Sequence, residues 1–181
     1  MNSDAAPPVS DLPLGCVFVV EDETVVAMGL EQMLARLGLS NVHLFASAEE
    51  ALDRLDELRP DLILMDIRLG AGIDGLAAAR EVMERRPCPV VITSAYTEGK
   101  YIEEAMHSHV FGYLVKPVTT QQLASTLSLA VARFRQFEAL RQENAGLRDA
   151  LETRKLVERA KGILMSRKNP VSYTHLTLPT N

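Results

Sequence analysis

Cysteine is scarce, with Cys16 and Cys88 the only two in 181 residues. Each borders an apolar run, so both read as reduced, buried thiols, and neither a disulfide framework nor a zinc cage is expected. Long apolar runs are missing as well. None approaches the roughly 18 residues that span a bilayer. The N-terminal stretch, with Asp4, Asp11 and prolines 7, 8 and 13, lacks the charged-then-apolar pattern of a secretory signal. A cytoplasmic chain with no membrane partner is expected. The four histidines are scattered, with His107 and His109 in an expected loop, so they make no metal-binding pattern.

The composition that remains is globular: 47% apolar and 24% charged, in a length that suits one domain and a small appendage. The net charge of -5 is unevenly spread. Residues 133–169 hold ten Lys or Arg against five acids, so the rest of the chain carries -10. An acidic body disfavours nucleic acid, whereas a basic helical tail permits it.

From Leu14 to about Phe134, short β-branched runs alternate with amphipathic stretches. Strands are expected at 17–20, 42–45, 62–65, 90–93 and 112–115, and helices near 24–37, 48–58, 76–86, 100–106 and from Thr120 onward. That order predicts an α/β fold, a doubly wound five-stranded parallel sheet built as (βα)5. The first, third and fourth strands are nearly continuous apolar runs, as strands covered on both faces should be. In such sheets ligands bind beyond the carboxyl ends of the strands.

Those ends carry Glu21-Asp22, Asp66, Thr93-Ser94 and Lys116-Pro117. Any one acid alone reads as a solvated loop residue. Three converging carboxylates repel one another unless a hard cation holds them, and oxygen-only ligands suit Mg²⁺. The stretch Gly70 to Gly75 also matches GxGxxG between a strand and a helix. Against a dinucleotide site, Asp66 just before it would repel a pyrophosphate, and no acid closes the next strand to hold a ribose. A phosphatase of the haloacid-dehalogenase kind would want a second acid two residues past Asp66, where Arg68 stands.

The strings Val19-Val20-Glu21-Asp22-Glu23, Asp61-Leu62-Ile63-Leu64-Met65-Asp66, Thr93-Ser94-Ala95 and Gly112-Tyr113-Leu114-Val115-Lys116-Pro117 resemble the marks of the response-regulator receiver domain of two-component signalling. The resemblance covers about residues 14–134. It implies that Asp66 is the phospho-acceptor, that Glu21, Asp22, Asp66 and the backbone carbonyl of Arg68 bind Mg²⁺, and that Lys116 pairs with the phosphoryl group. It makes Ser94 and Tyr113 a switch pair. The segment from Arg68 to Gly75 departs from the family, being one residue longer and lacking the common proline. The assigned roles are physically consistent, since phosphoryl transfer depends on positioning and on neutralising charge at the phosphoryl oxygens. A cis bond at Lys116-Pro117 would turn the chain and aim the lysine. Ordinary core packing is the alternative for Tyr113.

Beyond Thr120 a heptad pattern places Ala130, Phe137, Asn144 and Leu151 at a, and Leu140 and Leu147 at d. It predicts a short coiled coil and a homodimer, with Asn144 setting register and Glu143 meeting Arg148 of the partner. Arg133 spoils one d position, and packing of the stripe on its own domain stays open. The segment Ala150 to Met165, above all Ala160-Lys161-Gly162-Ile163-Leu164-Met165, resembles the first helix of the ANTAR domain, a three-helix RNA-binding module of transcription antiterminators. Arg154, Lys155, Arg159 and Lys161, with Arg167 and Lys168, are candidate phosphate contacts. Leu156, Val157, Ala160, Ile163 and Leu164 form an apolar face that wants partners, and fraying toward Gly162 is expected. Val171 to Thr180 resembles translated transposase mosaic end and sequencing adapter.

The expected layout is a disordered N-terminus over 1–13, a receiver over 14–134, a coiled-coil linker helix over 135–152, the start of a truncated ANTAR domain over 153–169, and an adapter-derived ending over 170–181. The expected function is a response regulator phosphorylated on Asp66 by a sensor histidine kinase or phosphotransfer protein, its intact form binding an RNA hairpin as an antiterminator. It is no enzyme beyond its own phosphorylation and dephosphorylation. The rival is a receiver-only interaction and dimerisation switch.

Overall fold

The computed structural model describes residues 14–70, 72–95 and 110–167, by backbone alone at 147–150 and 160–167. The elements are β1 Val17–Val20, α1 Thr24–Arg36, β2 Val42–Phe45, α2 Ala48–Leu58, β3 Leu62–Asp66, α3 Gly75–Arg85, β4 Val90–Ser94, β5 Gly112–Val115 and α4 Thr120–Arg167. The expected helix at 100–106, His107, His109, the N-terminal 1–13 and the ending from Lys168 all lie outside the described residues.

All five strands are parallel, in the order β2-β1-β3-β4-β5. The three central strands are buried along their whole length and the two edges are not, as continuous apolar runs in the centre predict. Alternate residues feed opposite layers. Phe18, Val20, Ile63, Met65 and Ile92 pack with α2 and α3. Val17, Val19, Leu62, Leu64 and Val91 pack with α1 and the first turns of α4.

Some boundaries differ from the sequence expectation. β3 and β4 each run one residue further, because Asp66 pairs with Thr93 and Ser94 with Val115 in the neighbouring strands. Helix α4 runs past Gly162 to Arg167 where fraying was expected. One helical glycine costs about 1 kcal/mol, which does not by itself end a helix.

The chain divides into two units between Phe137 and Glu138. In the first, Ala130 is fully buried, and Phe111 meets Phe134 and Phe137 edge-on at 5.2 and 5.7 Å. The N-terminal part of the heptad stripe is therefore consumed by its own domain, the alternative left open above. In the second unit Leu140, Leu151, Leu156 and Val157 are exposed, and Asn144 Nδ2 donates to the Leu140 carbonyl one turn back at 2.9 Å. Among the described residues, no helix is long and apolar enough to cross a membrane.

Candidate functional site

The strand register decides which side chains can meet. Because Val20 pairs with Met65 and Asp66 with Thr93, the residues after β1 and at the ends of β3 and β4 rise to one level at the carboxyl edge of the sheet. Glu21, Asp22 and Asp66 place carboxylate oxygens within 4.8 Å of one another there. Glu21 is 2% exposed and Asp66 8%, whereas Asp22 faces solvent.

Lys116 reaches in from the end of β5, held by its backbone N–H, which donates to the Ser94 carbonyl at 2.8 Å. The Lys116-Pro117 peptide is cis. The ammonium donates to Glu21 Oε1 at 2.9 Å and to Asp66 Oδ2 at 3.1 Å, and lies 2.7 Å from Glu21 Oε2. The ammonium therefore contacts two of the three carboxylates in the cluster. Burial pushes the Glu21 carboxyl above its ordinary range; the hydrogen bond from Lys116 opposes this, and the Asp66 and Asp22 charges add to it. For Lys116 burial acts downward, but the hydrogen bonds to Glu21 and Asp66 outweigh it and hold the ammonium above its ordinary value.

Glu21 Oε2 is buried and accepts no hydrogen bond despite its closeness to Lys116. Two buried carboxylates and a third, exposed one within 4.8 Å, sharing a single ammonium, are a donor set that a hard divalent cation completes. The residues present fit Mg²⁺.

Two features shape the loop after Asp66. A Cβ on Gly75 would stand 2.0 Å from the Asp66 carbonyl oxygen, so α3 can start this close to the acceptor strand only with glycine there. Asp74 caps α3 by accepting from Ala77 N–H at 2.7 Å. The GxGxxG spacing thus marks a close approach and a helix start. Arg68, whose carbonyl was expected to join the site, is exposed in this loop.

Ser94 is buried at the end of β4, and Tyr113, opposite Ile92, packs half-buried against the α2/α3 layer. The structure thus brings together Glu21, Asp22, Asp66 and Lys116. Arg154, Lys155 and Arg159 belong to the second unit and are exposed, with Arg154 Nε 3.3 Å from Glu158 Oε1. Lys161 lies on α4, described there by backbone alone. Sequence reasoning missed Glu49, whose Oε1 accepts from Ile73 N–H at 2.8 Å in the loop after Asp66. The thiols of Cys16 and Cys88 are buried and free, and burial pushes Cys88 up to about 12.

A five-stranded parallel sheet with this acidic cluster and an inward-pointing lysine defines a class, and residues 17–128 match the response regulator receiver domain. The chain belongs to that family and is a response regulator. Residues 145–169 match the ANTAR domain, so the receiver is followed by part of that module. The chain is 38% identical over 151 residues to the transcriptional regulatory protein PdtaR of Mycobacterium tuberculosis, covering 83% of this chain and 73% of the relative. It is 32% identical to the N-terminal domain of a response regulator/sensory box/GGDEF three-domain protein from Carboxydothermus hydrogenoformans, with a TM-score of 0.60 over 68% of this chain and 96% of that one. A CheY-like receiver from Methanospirillum hungatei shares the fold, with a TM-score of 0.61 at 21% identity over 68% of this chain and 98% of that one. By name these relatives are a transcriptional regulatory protein and the receiver portions of response regulators.

Proposed function

We propose that Asp66 accepts a phosphoryl group from a sensor histidine kinase or phosphotransfer protein in the cytoplasm, with Mg²⁺ held by Glu21, Asp22, Asp66 and the Arg68 carbonyl. The observation that carries this is Lys116 Nζ 3.1 Å from Asp66 Oδ2, within the cluster of Glu21, Asp22 and Asp66 carboxylates. An Asp66 oxygen attacks phosphorus, the new P–O bond forming as the donor's P–N bond breaks and the imidazole nitrogen leaves. Bound Mg²⁺ would neutralise phosphoryl oxygen charge. Lys116 exchanges its carboxylate contact for a phosphoryl oxygen, and the Ser94 hydroxyl donates to another, drawing its loop inward so that Tyr113 rotates. The groove lined by Val26, Leu30, Met33, Lys116 and Pro117, with Val25 and Met28 exposed on α1, supports docking of an apolar donor helix beside the lysine.

The output reading rests on the second unit. The exposed Leu140 and Leu151, with Asn144 between them, support a homodimer through α4. The ANTAR match supports an RNA hairpin as the ligand in transcription antitermination, with Arg154, Lys155, Arg159 and Lys161 contacting phosphates. The receiver, linker and output segments are assigned to 14–134, 135–152 and 153–169.

The test is incubation with acetyl phosphate, followed by intact-mass measurement. One phosphoryl group is expected with Mg²⁺, and none with chelator or in Asp66→Asn. Equal labelling in chelator or in Asp66→Asn contradicts the reading. RNA binding that weakens steeply with salt supports the output assignment, whereas none by a phosphorylated dimer favours the interaction-switch reading.

A further inference from the structure

The loop from Arg68 to Gly75 joins the acceptor strand to α3, and its sequence has little with which to hold itself. Leu69 is buried at one end, and Ile73 packs against the α2/α3 layer at the other. Between them Gly70-Ala71-Gly72 offers no side chain larger than a methyl group. At Gly70 the loop passes so near the acidic cluster that a Cβ there would lie 3.9 Å from Asp22 Oδ2.

Glu49 comes to this loop from α2. Its Oε1 accepts from Ile73 N–H at 2.8 Å, and a Cβ on Gly72 would stand 2.3 Å from that same oxygen, so the carboxylate fills the space that a side chain at 72 would take. The base of the contact is firm. Ser47 caps α2 by accepting from Glu50 N–H, while the Glu50 carboxylate accepts from Ala46 N–H, an arrangement close to a capping box. Ala48, Ala51, Leu52 and Leu55 bury the helix behind it. The Ile73 hydrogen bond also holds the Glu49 carboxyl below its ordinary range, so it is ionised at neutral pH and the bond is charge-assisted.

We propose that Glu49 is a positioning residue that ties the glycine-rich loop to α2 and so keeps the Arg68 carbonyl in place for the cation at Glu21, Asp22 and Asp66. It supplies from outside the loop the constraint that a proline would supply from within. The inference rests on the Mg²⁺ reading above, and it assigns Glu49 no contact with the metal or the phosphoryl group.

Wild type, Glu49→Ala, Glu49→Gln and Gly72→Ala are compared by calorimetric Mg²⁺ titration and, without metal, by hydrogen exchange at the Ile73 amide. Glu49→Ala should weaken Mg²⁺ binding by about tenfold, the lower end of the range for residues supporting a ligand. It should also speed exchange at Ile73 and leave the thermal midpoint unchanged. Gly72→Ala, which displaces the carboxylate, should behave likewise. Glu49→Gln keeps the acceptor oxygen and should recover most of the affinity. Glu49→Ala with unchanged affinity and exchange overturns the tether, as does Glu49→Gln as weak as Glu49→Ala, which would show that long-range charge alone is acting. A wild type that binds no Mg²⁺ removes the reading of the site, and the tether with it.

Discussion

In the described residues from Leu14 to Phe137 the core side chains are gathered into two layers, and the buried charge, Glu21 and Asp66, lies at one end of the sheet, with Glu21 only 2% exposed. From Glu138 onward the opposite holds. Leu140, Leu151, Leu156 and Val157 are 47% to 66% exposed, and charged pairs such as Arg154–Glu158 lie in water. The first region has an unmet electrostatic need and the second an unmet hydrophobic one. Burying a carboxylate without enough countercharge creates a demand for a cation. A helix with an apolar stripe and no core creates a demand for another helix.

The comparison is broken most severely by removing the stripe. Leu140→Ala with Leu151→Ala should abolish the dimer, raising its dissociation constant by more than about a hundred-thousandfold, because the two substitutions remove four leucines from a homodimer at about 2 kcal/mol each. Phosphorylation of Asp66 should be untouched, and sedimentation velocity beside intact mass reads both. A dimer that survives the double substitution would place the interface elsewhere.

Lys116→Ala probes the other region. It should slow label uptake at Asp66 by about a hundredfold, the usual cost of losing one donor to developing phosphoryl charge, and abolish the phosphorylation-dependent change in assembly. Mg²⁺ binding should survive, because the lysine touches carboxylates and not the metal. Loss of metal binding with switching intact would reverse these roles.

Much of this division is legible in the sequence, for a physical reason. β1, β3 and β4 are read correctly because strands buried on both faces must be apolar throughout. Glu21, Asp22, Asp66 and Lys116 are legible because they punctuate those strands at their ends. The stripe is harder, since Phe137 and Leu151 both sit at a positions. Only Phe111, brought by the fold against Phe134 and Phe137, shows that the first is used within the domain. Glu49 is invisible in sequence, because its partner is the backbone N–H of Ile73, which any non-proline residue would offer. The extra residue in β4 is hidden likewise, as Ser94 is in the strand through its pairing with Val115.

Glu21→Gln sharpens the comparison with the smallest change. Metal affinity should fall by several tens of fold. The carboxyl is raised in the folded state by burial first, so over the pH range from its ordinary value of 4.5 up to its folded value the folded chain binds more protons than the unfolded one. Stability of the metal-free protein should therefore be greatest below that range and fall as pH rises through it. Glu21→Gln should lack this fall and melt above metal-free wild type at neutral pH. A lower melting temperature would show that the Lys116 pairing outweighs the burial cost.

Peptide mapping of the phosphorylated chain, after borohydride trapping of the acyl phosphate, tests the central claim most directly. The account predicts modification at Asp66 alone, dependent on Mg²⁺. Trapped label at Glu21 or Asp22, or at Asp66 in the absence of any divalent cation, would contradict it.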